Sequence, residues 1–87
     1  LPKADYRAIR TRYVGPTNTK GSRIIADAGD AASRVILEYD YGLNTVDNHA
    51  TAAEAVRDKM GWRGGFFTDL VGGEIDNTYV WVFLPRP

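Results

Sequence analysis

Arg10, Arg12 and Arg23 flank the stretch Gly15-Pro16-Thr17-Asn18-Thr19-Lys20-Gly21-Ser22, which adds a lysine of its own. No other part of the chain joins so much positive charge to rigid turn chemistry. Guanidinium and ammonium groups in this density suit phosphate oxygens. An aromatic ring beside them suits a stacked base. The chemistry this pattern supports is therefore the holding of nucleic acid, single-stranded for preference. The residues that would carry it are Arg10, Arg12, Tyr13, Thr17, Asn18, Thr19, Lys20, Ser22 and Arg23. The plainer reading is a hairpin loop shaped by Pro16 and Gly21, with arginines that only keep a strand soluble.

Other chemistries fit less well. A phosphate-hydrolysing loop needs G-x-x-x-x-G-K-[ST] opening a helix. Here the order is Lys20-Gly21-Ser22, and a strand-like segment follows. The only histidine, His49, falls on the apolar stripe of a helix, where a packed structural role is the commoner one. No cysteine is present, and no serine sits in a recognisable nucleophile setting. Carboxylates from Asp40 to Asp76 are scattered at spacings that match no metal motif. The sequence therefore predicts a non-enzymatic protein with no catalytic residue, no metal and no cofactor. A site lined by Asp40, His49 and Trp62 is the enzymatic alternative.

The elements that must position the basic stretch follow from periodicity and turn chemistry. Tyr6 to Val14 reads as a strand with Ile9, Thr11 and Tyr13 on one face and Arg10, Arg12 and Val14 on the other. Arg23 to Ala26 restarts a strand, and Ala28-Gly29-Asp30 reads as a hairpin tip. Ser33 to Tyr41 alternates cleanly, with Val35, Leu37, Tyr39 and Tyr41 on one side. Asn44 or Thr45 then caps a helix running to about Met60, with Asp47 in its first turn. Val46, His49, Ala53, Val56 and Met60 form its apolar stripe. Gly61 suits a left-handed cap, and Trp62 would fold back on Val56. Phe66 to Val71 is a further strand, with Gly72-Gly73 and Asp76-Asn77 bracketing a turn or a bulged hairpin. Thr78 to Leu84 is apolar on both faces and so must be covered on both.

These elements make one domain over residues 1–87, of order β-β-β-α-β-β. The fold class is α+β: a single antiparallel sheet of about five strands with one helix packed on one face. One helix covers only one face, so the doubly apolar last strand needs cover from a twin subunit, a bound ligand or the chain's own long loops, and a homodimer is the preferred expectation. Residues 1–34 carry seven basic groups and three acids, and residues 35–87 carry four and eight, so a neutral chain splits into balances of +4 and −4. That asymmetry marks either an anion-facing side or two halves that attract each other. A protein-interaction or assembly module, using the apolar last strand and the acidic half, is the alternative to nucleic-acid binding. No apolar run approaches the ~20 residues of a membrane helix, and the absence of cysteine fits a reducing compartment. The expectation is a cytoplasmic protein without membrane contact.

The run Arg12-Tyr13-Val14-Gly15-Pro16-Thr17-Asn18-Thr19-Lys20-Gly21-Ser22-Arg23-Ile24 resembles a motif of small proteins encoded by bacteria and their mobile elements. Tyr39-Asp40-Tyr41-Gly42-Leu43-Asn44, Asn48-His49 and the Ala-rich helix ending Gly61-Trp62 are similar to the same group. The resemblance spans most of residues 7–83. It implies a short stand-alone accessory protein and carries no catalytic residue across.

Overall fold

Among the described residues, five antiparallel strands form one sheet, and a single helix lies on one of its faces. The computed structural model describes residues 8–61, 69–76 and 78–84. In chain order the elements are β1 (Ala8–Val14), β2 (Arg23–Asp27), a 3-10 turn (Ala31–Ser33), β3 (Val35–Glu38), α1 (Thr45–Met60), β4 (Asp69–Ile75) and β5 (Thr78–Leu84). The sheet order is β3-β2-β1-β5-β4. This is the α+β architecture that the sequence predicts.

The first and last strands lie side by side in the middle of the sheet. β1 pairs with β2 through Thr11 opposite Ala26, and with β5 through Thr11 opposite Tyr79. β5 is thus an interior strand, flanked by β1 and β4. Alternation sends Ile9, Thr11 and Tyr13 to the helix side with Tyr79, Trp81 and Phe83. Arg10, Arg12, Val80 and Val82 go to the other side. The core under the helix comprises Ile9, Ile24, Ala26, Ala52, Ala53, Val56, Trp81 and Phe83, all buried. Burying a side chain the size of Ile9 or Phe83 contributes roughly 1.5–3 kcal/mol. Trp81 and Phe83 therefore find cover within their own chain.

The helix ends as its sequence dictates. The Asn44 side chain accepts the Asp47 N–H at 2.8 Å, and Gly61 caps the C-terminus at φ 74°. The stripe differs at its two ends. Val46 is 47% exposed and Met60 is at the margin of exposure, while Asn48 and Ala52 are buried instead. Asn48 explains the rotation. Its amide donates to the carbonyls of Asp40, Leu43 and Asn44, and its oxygen accepts the Asp40 N–H. Those bonds turn the start of α1 toward the 40–44 turn, and small Ala52 and Ala53 let the helix approach the sheet. The expected packing of Trp62 on Val56 lies outside the described residues.

Two strands differ from expectation. β3 covers Val35–Glu38, not Ser33–Tyr41. Ser33 is held back by side-chain bonds: its N–H donates to the Asp30 carboxylate at 2.8 Å, and its Oγ accepts the Ala28 N–H at 2.8 Å. At the other end Asn48 claims Asp40. Such local bonds compete with a strand ladder and end it. β4 runs through both Gly72 and Gly73 to Ile75, so these glycines are strand residues and the turn falls at Asp76, φ 44°. Gly72 pairs with Trp81, whose indole lies over it, and that contact replaces the missing side chain. The expected strand start at Phe66 lies outside the described residues.

Candidate functional site

The face opposite the helix is uncovered by any described element, and the predicted arginines lie on it. Arg10 pairs with Asp27 at 3.0 Å, its own side chain 58% exposed and the carboxylate 8% exposed. Arg23 stands across from Glu38 on β3 and donates to the Gly21 carbonyl at 3.4 Å. Arg12 stands between Ile25 of β2 and Thr78 of β5, and is exposed. Arg12 and the exposed Lys20 thus carry positive charge with no carboxylate directly across the ladder. The rest of the face is apolar: Ile36 is 56%, Val71 54% and Ile75 66% exposed, with Ile25, Val80 and Val82 half-buried among them.

The loop between β1 and β2 is a closed turn. The Thr17 N–H donates to the Lys20 carbonyl at 2.7 Å, and Thr17 Oγ1 accepts from the Lys20 N–H at 3.0 Å and the Thr19 N–H at 3.4 Å. Three backbone donors therefore point inward. What the loop presents is its side chains, with Thr17, Asn18, Thr19 and Lys20 all exposed. Tyr13 and Ser22 belong to the other face. The Tyr13 hydroxyl donates to Ser22 Oγ at 2.9 Å, and the Tyr41 hydroxyl donates to the same oxygen at 3.0 Å. The nine predicted residues thus divide: Arg10, Arg12 and Arg23 share the open face, Thr17 to Lys20 form its rim, and Tyr13 and Ser22 turn away.

On the helix side Tyr13 joins a cleft of about 520 Å³. Tyr39, Tyr41 and Tyr79 wall it with Tyr13, and Thr45, His49 and Glu74 complete it. Sequence reasoning missed this grouping. Its legible signal was the Tyr39/Tyr41 alternation, which puts both rings on the face shared by Val35 and Leu37. Behind the cleft runs a buried chain of bonds: Trp81 Nε1–H donates to Thr11 Oγ1 at 3.0 Å, and Thr11 Oγ1 meets His49 Nδ1 at 2.7 Å. Thr11 and His49 are almost fully buried. With His49 neutral and its proton on Nε2, the threonine hydroxyl accepts from Trp81 and donates to Nδ1, so every partner is satisfied.

Burial pushes the His49 pKa below its ordinary value, partly opposed by the negative charge of Glu74. The unfolded chain therefore binds the proton more readily than the folded one. Stability from this group is complete above the unfolded pKa of about 6.5 and is lost as pH falls from there toward the folded value. Thermal unfolding at pH 7.5 and pH 5.5 should show a lower midpoint at the acidic value, and His49→Gln should flatten that difference. Equal pH slopes for the two proteins would contradict the assignment. The hydrogen bond to Nδ1 also makes His49 a packed residue rather than a free base. Asp40 accepts the Gly42 N–H at 2.8 Å, and Trp62, the third member of the enzymatic alternative, lies outside the described residues.

The fold and its surfaces define a two-layer α+β arrangement, helix-covered on one face and with no described element over the other. Comparison with family models, curated proteins and solved structures finds no match for the chain. Among the described residues no helix is long and apolar enough to cross a membrane, and no three His, Asp or Glu side chains gather to hold a metal.

Proposed function

We propose that this protein is a small non-enzymatic binding module that contacts nucleic acid, single-stranded for preference, through the open sheet face and the β1–β2 loop. The observation that carries this reading is the ridge of Arg10, Arg12 and Arg23 on the face the helix leaves bare, continued by exposed Lys20. Asp27 and Glu38 offset two of the arginines, so Arg12 and Lys20 dominate the attraction. Two phosphate contacts on a single strand give a logarithmic salt slope of about −1.4. Fluorescence anisotropy with a labelled oligonucleotide should show binding at ~50 mM salt that weakens with that modest slope. The Arg12→Glu, Lys20→Glu double variant should lose it. No binding at low salt, or unchanged binding by the variant, sinks the reading.

The apolar part of the same face favours a second reading, assembly through β4 and β5. Val71, Ile75, Val80 and Val82 form a shallow apolar trough at one side of the ridge. A second copy of the chain is the occupant that the charges favour there. Two open faces stacked ridge to ridge would oppose arginine to arginine, whereas pairing over β4 and β5 keeps the ridges apart and free. Such a dimer presents two basic ridges at once, which strengthens binding to one strand by avidity. Sedimentation at micromolar concentration should then give a dimer that Val71→Lys dissociates. A monomer at every concentration rules out assembly and leaves the anisotropy result standing alone.

A further inference from the structure

The tyrosine cleft lies on the opposite face of the sheet from the arginines, and nucleic-acid binding on the open face does not use it. Its walls are tyrosine rings, three of them anchored through their hydroxyls. The hydroxyls of Tyr13 and Tyr41 both donate to Ser22 Oγ, and that of Tyr39 bonds Thr45 Oγ1 at 3.2 Å. Three phenols are thereby tied at their polar ends. Tyr39 stands edge-on to Tyr13, at 86° and 5.4 Å between centroids, and is tilted 59° to Tyr41 at 5.0 Å. On the far side Tyr79 lies 4.3 Å from the His49 ring. Tyr13, Tyr39 and Tyr41 thus meet edge-on or tilted, and Tyr79 is steadied by its stack on Trp81 at 5.9 Å.

Charge decides what that space suits. Glu74 supplies a carboxylate at the rim, opposite Tyr79 on the ladder. Among the described residues no lysine or arginine lines the cleft. The positive end of α1 is already answered, because the Asn44 side chain accepts the Asp47 N–H and Asp47 adds a negative charge in the first turn. A phosphate-bearing ligand would meet Glu74 with no described lysine or arginine to balance it. An aromatic wall to which the described residues add a carboxylate and no lysine or arginine is the arrangement that attracts an organic ammonium group, whose charge lies against ring faces.

We propose that the cleft lined by Tyr13, Tyr39, Tyr41 and Tyr79, with Glu74 at its rim, binds an alkylated ammonium cation. The rings hold the N-methyl groups by cation–π attraction, and Glu74 supplies the counter-charge. The cation is either a free small molecule or the methylated side chain of a peptide, and the recognition chemistry is the same for both.

NMR titration of the labelled protein tests this with choline, a trimethyllysine peptide, cytidine monophosphate and 3,3-dimethylbutan-1-ol, the uncharged carbon analogue of choline. Choline should shift the resonances of Tyr13, Tyr39, Tyr41 and Glu74 and bind about tenfold more tightly than its neutral analogue. Glu74 is exposed on an edge strand, so Glu74→Gln should keep the fold; it should weaken choline severalfold and leave the neutral analogue unchanged. Tighter binding of the peptide than of choline assigns the cation to a protein partner, and the reverse order to a free metabolite; either supports the site. Equal binding of choline and its neutral analogue overturns the proposal. So does absence of any shift in the cleft, or tighter binding there by cytidine monophosphate.

Discussion

Thr11→Val is expected to lower the unfolding free energy by roughly 2–6 kcal/mol. The substitution keeps the shape of the side chain and removes one oxygen. That oxygen accepts from the Trp81 indole at 3.0 Å and bonds His49 Nδ1 at 2.7 Å, in a region closed to solvent. Valine leaves two buried polar groups without a partner, each costing about 1–3 kcal/mol. For a domain with total stability on the order of 5–15 kcal/mol the loss is a large fraction. Urea unfolding followed by circular dichroism measures it, with Thr11→Ser as the control. Serine keeps the hydroxyl and loses only a methyl, so it should cost about 1 kcal/mol. A valine variant as stable as the serine one would show that the Trp81–Thr11–His49 chain does not hold the two layers together.

Gly72→Ala is expected to destabilise by about 1–3 kcal/mol, though the position lies exposed on an edge strand. A methyl group there would come within 2.5 Å of the Trp81 ring at Cε3 and Cζ3. The indole has little freedom to withdraw, since its nitrogen is bonded to Thr11 and its ring is stacked near Tyr79 at 5.9 Å. Gly73, the next residue, has open space where a methyl would go. Gly73→Ala should therefore cost little, and the pair separates the packing effect from general loss of glycine. Midpoints of urea unfolding for the two variants check this, and equal values would contradict the close approach of Trp81.

The order of elements was legible in the sequence because each announces itself locally. Arg10 and Arg12 alternate with Ile9 and Thr11, Asn44 caps, Gly61 ends the helix, and Thr78 to Leu84 is apolar throughout. What stayed hidden depends on pairing between distant strands. The two glycines of β4 read as one edge of a turn or bulged hairpin, since nothing nearby in sequence shows that Trp81 comes to lie over Gly72. Val46 and Met60 complete a periodic stripe in the sequence, whereas the worth of Asn48 lies in four bonds to a turn that only the fold brings near.

The site divided along the same line. Alternation along β1 correctly separated the arginines from Tyr13. The carboxylates that offset Arg10 and Arg23 come from β2 and β3, and their positions follow from register. The tyrosine cleft draws on four strands or their ends and on the start of α1, so no window of sequence contains it. Its parts were visible singly, as an alternating pair at Tyr39 and Tyr41 and as aromatic residues of the last strand.

Mapping of amide and side-chain NMR shifts on adding a short single-stranded oligonucleotide at low salt tests the central claim most directly. The account predicts shifts concentrated at Arg10, Arg12 and Arg23 on the open face and at Thr17 to Lys20 in the loop. His49 and Tyr79, behind the sheet, should stay unmoved. Shifts gathered in the tyrosine cleft, or none at all, would contradict it.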